Sequence, residues 1–254
     1  MKLGKQDYKF DARTLKLANF IDTEQLVPPP TFDFDKNRAK FPQRVWGNDA
    51  YGDCVLAAQM NHVLRMERLE TRHTVHAVDD DVIREYQVLT GCRQPNDAND
   101  NGLNMLDALN WWRKDGWTVH GHNYKIDAFG ELESQDLNQQ RLGTWLFHGI
   151  QFGFALPLSA QKQFEQGDIW DVTDGFDARP GSWGGHAVYS KKYTSKGWEV
   201  ETWGEKQFVT NEFILRYADE VWAPIDALDP WRKTAGFDVA ALEAYLVKIG
   251  ARQH

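Results

Sequence analysis

The apolar residues of this chain change period near its midpoint, and that change limits the folds open to it. From residue 54 to residue 116 they recur at helical spacing. "CVLAAQMNHVLRMERL" repeats Val55, Ala58, Val63 and Met66 at roughly that interval, with Asp53 placed to cap its start. "DDDVIREYQVLTG" has leading aspartates, apolar Val82, Ile83, Tyr86 and Leu89, and a closing Gly91. "NMLDALNWWRKDG" repeats that design and stops at Gly116. Beyond residue 149 the pattern becomes that of strands: "GIQFGFALPL" (149–158), "GGHAVYSKKY" (184–193), and "GWEVETWGEKQFVT" (197–210) as strand, bend and strand. "TNEFILRYADE" adds a short helix, "VWAPI" a strand, and "DVAALEAYLVKIG" a closing helix. Helices first and antiparallel strands second predict an α+β architecture, with a cleft between the two halves as the natural place for a site.

The 254 residues suffice for one sizeable core in one or two lobes. The chain divides into an N-terminal arm (1–27) ended by "PPP", a main domain (28–225) and a C-terminal helical extension (226–254). A net charge of −8 with no basic run argues against a nucleic-acid partner. No apolar stretch is long enough for a membrane span, and the N-terminus lacks the apolar core of a signal peptide. Two cysteines without an export signal read as free thiols in a reducing, cytoplasmic setting.

One of those thiols opens the first helix, in "WGNDAYGDCVLAAQ". A thiol attacks carbonyls only as thiolate, about 3% of it at neutral pH. A helix N-terminus is worth roughly one pKa unit, and the charge of Asp53 opposes it. Cys54 therefore needs a cationic partner. Of eight histidines, His62 lies in the same helix, His73 and His76 in a polar connection, and His254 at the end. His186 differs, because two glycines precede it in "SWGGHAV" and an apolar strand follows.

"GDCVLAA", "GGHAV" and "ETWG", in that order, resemble the papain-like cysteine peptidases. His186 lies 132 residues and Glu201 147 residues beyond Cys54, within the family's spacing of about 130–150. "PPPTFDFDKNRAKFPQRVWGND" resembles the family's entry segment, and "NDNGLNMLDALNWWRKDGW" its cleft-edging turn and helix. The resemblance spans about residues 28–222 and implies a two-lobed fold. It makes Cys54 the nucleophile and His186 the base, then the acid. Asn48 and the Cys54 N–H would form the oxyanion hole. Glu201 takes the place of the Asn that orients the His, and Trp203 that of the shielding Trp. Asn101, Gly102, Trp183 and Gly185 would edge the substrate cleft.

The departures are Glu for Asn at 201, Asn for Gln at 48, Val55 for an aromatic, and a missing first cysteine of the double-Cys motif. The arm is shorter than the family's inhibitory pro-segment, so regulation by its removal is not expected. The implied activity is hydrolysis of a peptide or amide bond through a thioester. The alternative is an inactive papain-like fold serving as a binding or structural component, assembled through its terminal extensions. No metal or cofactor is expected. "HGH" (His120, His122) and "HTVH" have no accompanying cysteine or acidic cluster, and "DANDNG" (97–102) has Ala108 where a calcium loop needs its bidentate acid.

Overall fold

In the computed structural model the change of period becomes two packed halves. Described are residues 1–20, 26–36, 41–70, 72 and 74–226, with 240, 241, 244 and 247 beyond them. Those last four are helical, and the rest of the closing helix expected there lies outside the described residues. The helical half holds α1 (Cys54–Glu70), α2 (Asp79–Thr90) and α3 (Met105–Lys114), as the periodicity predicts. Gly91 ends α2 at φ 73° and the left-handed Gly116 follows α3, where a side chain would be strained. Asn104 caps α3 by accepting from the Asp107 N–H.

From Cys54 through Met66 the residues of α1 are buried, including Gln59, Asn61, His62 and Arg65. It is thus a central helix enclosed on every side, not an amphipathic one lying on a surface. Asp53 does not cap it with its side chain. Only its carbonyl meets the first turn, accepting from Leu56 and Ala57, and neither carboxylate oxygen has a hydrogen-bond partner.

The second half is a sheet. Its strands are β1 (Phe32–Asp33), β4 (Ala128–Leu132), β5 (Ile150–Leu156), β6 (Gly184–Tyr193), β7 (Gly197–Thr202), β8 (Glu205–Thr210) and β9 (Ala218–Ile225). A separate hairpin, β2 (Trp117–Val119) with β3 (His122–Tyr124), closes the helical half. The sheet order is β4-β9-β5-β6-β7-β8, antiparallel throughout, with β1 added to β6. Helices α4 (Leu137–Leu146), α5 (Leu158–Gln166) and α6 (Asn211–Tyr217) complete this half. Of these only α6 was expected.

Two apolar clusters result, one per half, and Ala187 of β6 and Trp222 of β9 belong to the helical one. The start of α1 and the start of β6 therefore meet where the halves join. In the arm, Leu17–Phe20 form a 3-10 turn. Among the described residues no helix is long and apolar enough to cross a membrane.

Candidate active site

Cys54 is the first residue of α1, and its Sγ accepts a hydrogen bond from the Ala187 N–H at 3.4 Å. The neighbouring residue on β6 is His186, fully buried. One imidazole nitrogen, Nε2, is hydrogen-bonded to the Thr202 hydroxyl at 2.6 Å. The other, Nδ1, has no hydrogen-bond partner. The ring lies flat on the Trp203 indole, centroids 4.2 Å apart and planes 12° from parallel. Trp183 and Phe164 pack against that indole in turn.

Trp203 reaches this position through the β7–β8 turn. Trp203 and Gly204 both lie in the left-handed region, at φ 46° and 77°, the conformation that two-residue hairpin turns favour. For a tryptophan that conformation costs about 1 kcal/mol or more. The stack on His186 and the packing of Phe164, Trp170 and Trp183 offset it.

Glu201 does not reach His186, contrary to the reading of "ETWG". Side chains alternate along a strand, so Glu201 and Thr202 face opposite sides of β7. Glu201 points away from the imidazole and is bound by Arg65 Nη2 at 2.6 Å, by Lys191 Nζ and by Gln43. Asp35 completes this buried cluster with two bonds to Arg65. Burial would raise the Glu201 carboxyl, but Arg65 and Lys191 outweigh it and hold it below its ordinary value. Thr202 stands where the orienting residue was sought. "ETWG" contained it, one place along, and the tight turn after it set the register.

Asn48 is buried in the loop before α1, and its amide donates to the Tyr51 carbonyl at 3.1 Å. That loop is held by Asp100, which accepts from the Gly52 N–H at 2.8 Å and from the Tyr86 hydroxyl at 2.8 Å. The "DANDNG" acids thus bind local amides: Asp97 accepts from Arg93, Gln94 and Asn99. Among the described residues no cluster of three or more His, Cys, Asp or Glu could hold a metal. The His120 ring bonds the His76 carbonyl instead.

The rims expected for the cleft, residues 101–103 and Gly184–Gly185, flank the chain's own N-terminal segment. The Leu103 N–H donates to the Gly4 carbonyl and the Gln6 N–H to the Leu103 carbonyl, so the segment runs parallel to that rim. The Gln6 amide also donates to the Asn101 and Gly102 carbonyls. Lys5 N–H donates to the Gly185 carbonyl at 3.0 Å, Lys2 N–H to the Asn48 carbonyl, and the Trp203 indole N–H to the Lys2 carbonyl.

Approach is close enough that only glycine fits. A Cβ on Gly102 would lie 1.9 Å from the Gly4 carbonyl oxygen, and one on Gly185 2.1 Å from that of Lys5. Gly4 lies close enough to the thiol for its backbone to oppose the burial-driven rise of the Cys54 thiol. The arm therefore lies across the site despite its shortness, because covering one sulfur takes five residues.

In this covered arrangement both chemical groups are neutral. Burial pushes the Cys54 thiol up to about 12, the Ala187 N–H only partly opposing it. Burial also lowers the His186 imidazole to about 3. Asp53 is equally buried, and burial pushes its carboxyl well above its ordinary value.

No family model matches the chain, and no curated protein matches it in sequence. Solved structures do. The cysteine protease xylellain from Xylella fastidiosa superposes with a TM-score of 0.67 at 15% identity, over 89% of this chain and 96% of that one. The fold is papain-like. A procathepsin B from Trypanosoma congolense gives 0.59 at 13% identity, over 88% and 86% of the two chains. The Carica candamarcensis cysteine protease CMS1MS2 gives 0.55 at 13%, over 78% and 99%.

Proposed function

We propose that this chain is a papain-like cysteine hydrolase that cleaves peptide or amide bonds through Cys54 and His186, and that residues 2–6 hold it in a covered resting state. The carrying observation is the arrangement of the imidazole: Nε2 tied to Thr202, the ring clamped on Trp203, and Nδ1 left unbonded beside a residue whose N–H touches the thiol. With the arm displaced, water and substrate reach the sulfur and the burial that keeps the thiol protonated is relieved.

His186 Nδ1 then takes the thiol proton, and the thiolate attacks the substrate carbonyl carbon. The carbonyl oxygen takes the negative charge, stabilised by the Cys54 N–H and the Asn48 amide. The tetrahedral species collapses: the C–N bond breaks, the imidazolium gives its proton to the leaving amine, and an acyl thioester remains. Water, deprotonated by the imidazole, attacks the thioester and releases the carboxylic acid and the thiol. Thr202 positions the ring, and Trp203 keeps water from its hydrogen bond. Two structural neighbours that are cysteine proteases, xylellain and CMS1MS2, support the reading.

A second reading rests on the burial of Cys54: the cleft binds peptides and never hydrolyses them. Incubating the protein with a peptide library and with a peptidyl epoxide separates the two. New peptide termini that disappear in Cys54→Ala, and epoxide adducts on Cys54, are expected. Peptide binding without either would refute the hydrolase and leave the binding module.

A further inference from the structure

Beside the covered thiol the arm drops one side chain into the sheet half. Lys5 follows Gly4, and its side chain is 1% exposed. Its Nζ donates to Glu220 Oε1 at 2.9 Å, to Asp219 Oδ2 at 3.0 Å and to the Gln6 carbonyl at 3.0 Å. Both acids stand on β9. Glu220 is 2% exposed, and its second oxygen accepts from the Trp222 indole N–H at 2.7 Å.

The corridor for the lysine stem exists because β5 carries Gly153. A Cβ there would lie 2.5 Å from Glu220 Cγ and 2.9 Å from both Lys5 Cδ and Cε. At the mouth, the Lys5 N–H is held by Gly185, the rim residue preceding His186. The whole is a narrow slot one residue from the nucleophile, with a carboxylate at its end.

From this slot we infer that the cleft selects peptides carrying a lysine or arginine side chain adjacent to the residue at Cys54, with Glu220 as the selecting group and Asp219 assisting. The inference rests on reading the cleft as a peptide-binding site. Lys5 is the occupant that shows what the slot accepts. When the arm leaves, it withdraws the ammonium that balances Glu220, and a carboxylate at the end of a narrow slot is left without its cation. A substrate ammonium or guanidinium replaces the one withdrawn. An apolar side chain would fill the same space and leave the carboxylate unpaired. Burial raises the Glu220 carboxyl, and the Lys5 ammonium opposes that rise. A plug serving only to fill space would be better built from an apolar residue.

The test uses the full chain with Lys5→Ala, which vacates the slot. Fluorescently labelled capped peptides, identical except for Lys, Arg or norleucine at one position, are titrated by anisotropy. The lysine and arginine peptides should bind about 10- to 100-fold more tightly than the norleucine peptide, the range expected for charge-assisted hydrogen bonds. That preference should collapse in Lys5→Ala/Glu220→Gln, where Gln can still accept from Trp222. Lys5→Ala/Asp219→Asn gives a second, more exposed variant and should narrow it. Equal binding of the three peptides, no binding of any, or a preference that survives both acid substitutions would overturn the inference. Binding needs no bond cleavage: selective binding without turnover would refute the hydrolase alone. Cleavage of norleucine and lysine peptides at equal rates would refute the slot alone.

Discussion

Replacing Gly4 by alanine should expose the nucleophile. The new Cβ would lie 1.9 Å from the Gly52 carbonyl oxygen and 2.5 Å from its Cα, in backbone that cannot yield without moving the loop before α1. Gly4 is not in the left-handed region, so alanine adds no backbone strain of its own and the clash acts alone. To relieve it the arm must retreat by about 1 Å or more, beyond hydrogen-bonding range for its closest contacts. Those are Leu103 N–H to the Gly4 carbonyl at 2.8 Å and Lys5 N–H to the Gly185 carbonyl at 3.0 Å. At about 1 kcal/mol net each, the covered state loses about 2 kcal/mol, and the open population rises about 30-fold.

Iodoacetamide reads that population, because the sulfur reacts only when uncovered. Labelling of Cys54 at pH 8, followed by mass spectrometry, should therefore be about 30-fold faster in Gly4→Ala than in the parent. Cys92 is the internal control: it is buried elsewhere, with its thiol donating to the Gln94 carbonyl. General loosening would accelerate both thiols, whereas arm release accelerates Cys54 only. A Cys54 rate within twofold of the parent, or equal acceleration at Cys92, would refute the claim that the arm gates the site.

Thr202→Val removes the hydroxyl on His186 Nε2 while keeping the side-chain shape. It should lower kcat about 10- to 100-fold, the worth of one hydrogen bond to a charged ring, with KM nearly unchanged and about 1–3 kcal/mol of stability lost because Nε2 is left buried without a partner. Glu201→Gln should act chiefly on stability: it leaves Arg65 and Lys191 buried against a neutral amide and costs about 3–5 kcal/mol, read by urea denaturation. Equal effects of the two substitutions on kcat and on stability would contradict the assignment of Thr202 to the imidazole. Acid should destabilise the protein earlier than carboxylate titration alone would. Burial lowers His62 and His186 to about 3 each, so both stay neutral when folded and protonate near 6.5 when unfolded. Depressed folded values mean that stability is present above pH 6.5 and is lost as pH falls toward 3. The slope is about 1.4 kcal/mol per pH unit for each histidine. Denaturation at pH 7.0, 6.0 and 5.0 measures it, His186→Asn should halve it, and a flat profile would refute the burial argument.

What the sequence alone determined is local. Helical spacing, capping Asn104 and terminating Gly91 and Gly116 set α1, α2 and α3, because each depends on residues within a few positions. Alternation and turn residues likewise marked β5 through β8, and the order Cys54, then His186, then Trp203 was readable as a papain-like pattern. α4 and α5 escaped notice because their apolar faces are short and mixed with polar residues, and docking on the sheet holds them.

The tertiary structure decided three things that no local pattern carries. It put Thr202 on the imidazole and Glu201 on Arg65, because a one-residue difference in strand register reverses the face a side chain takes. It brought Asp100 under the loop that presents Cys54. And it laid Lys2–Gln6 across the cleft, through bonds to rims at residues 101–103 and 184–185. Five arm residues contain no periodicity to read. Their conformation is imposed by glycine-lined rims about 100 and 180 positions away in sequence, and only the folded chain brings those rims together.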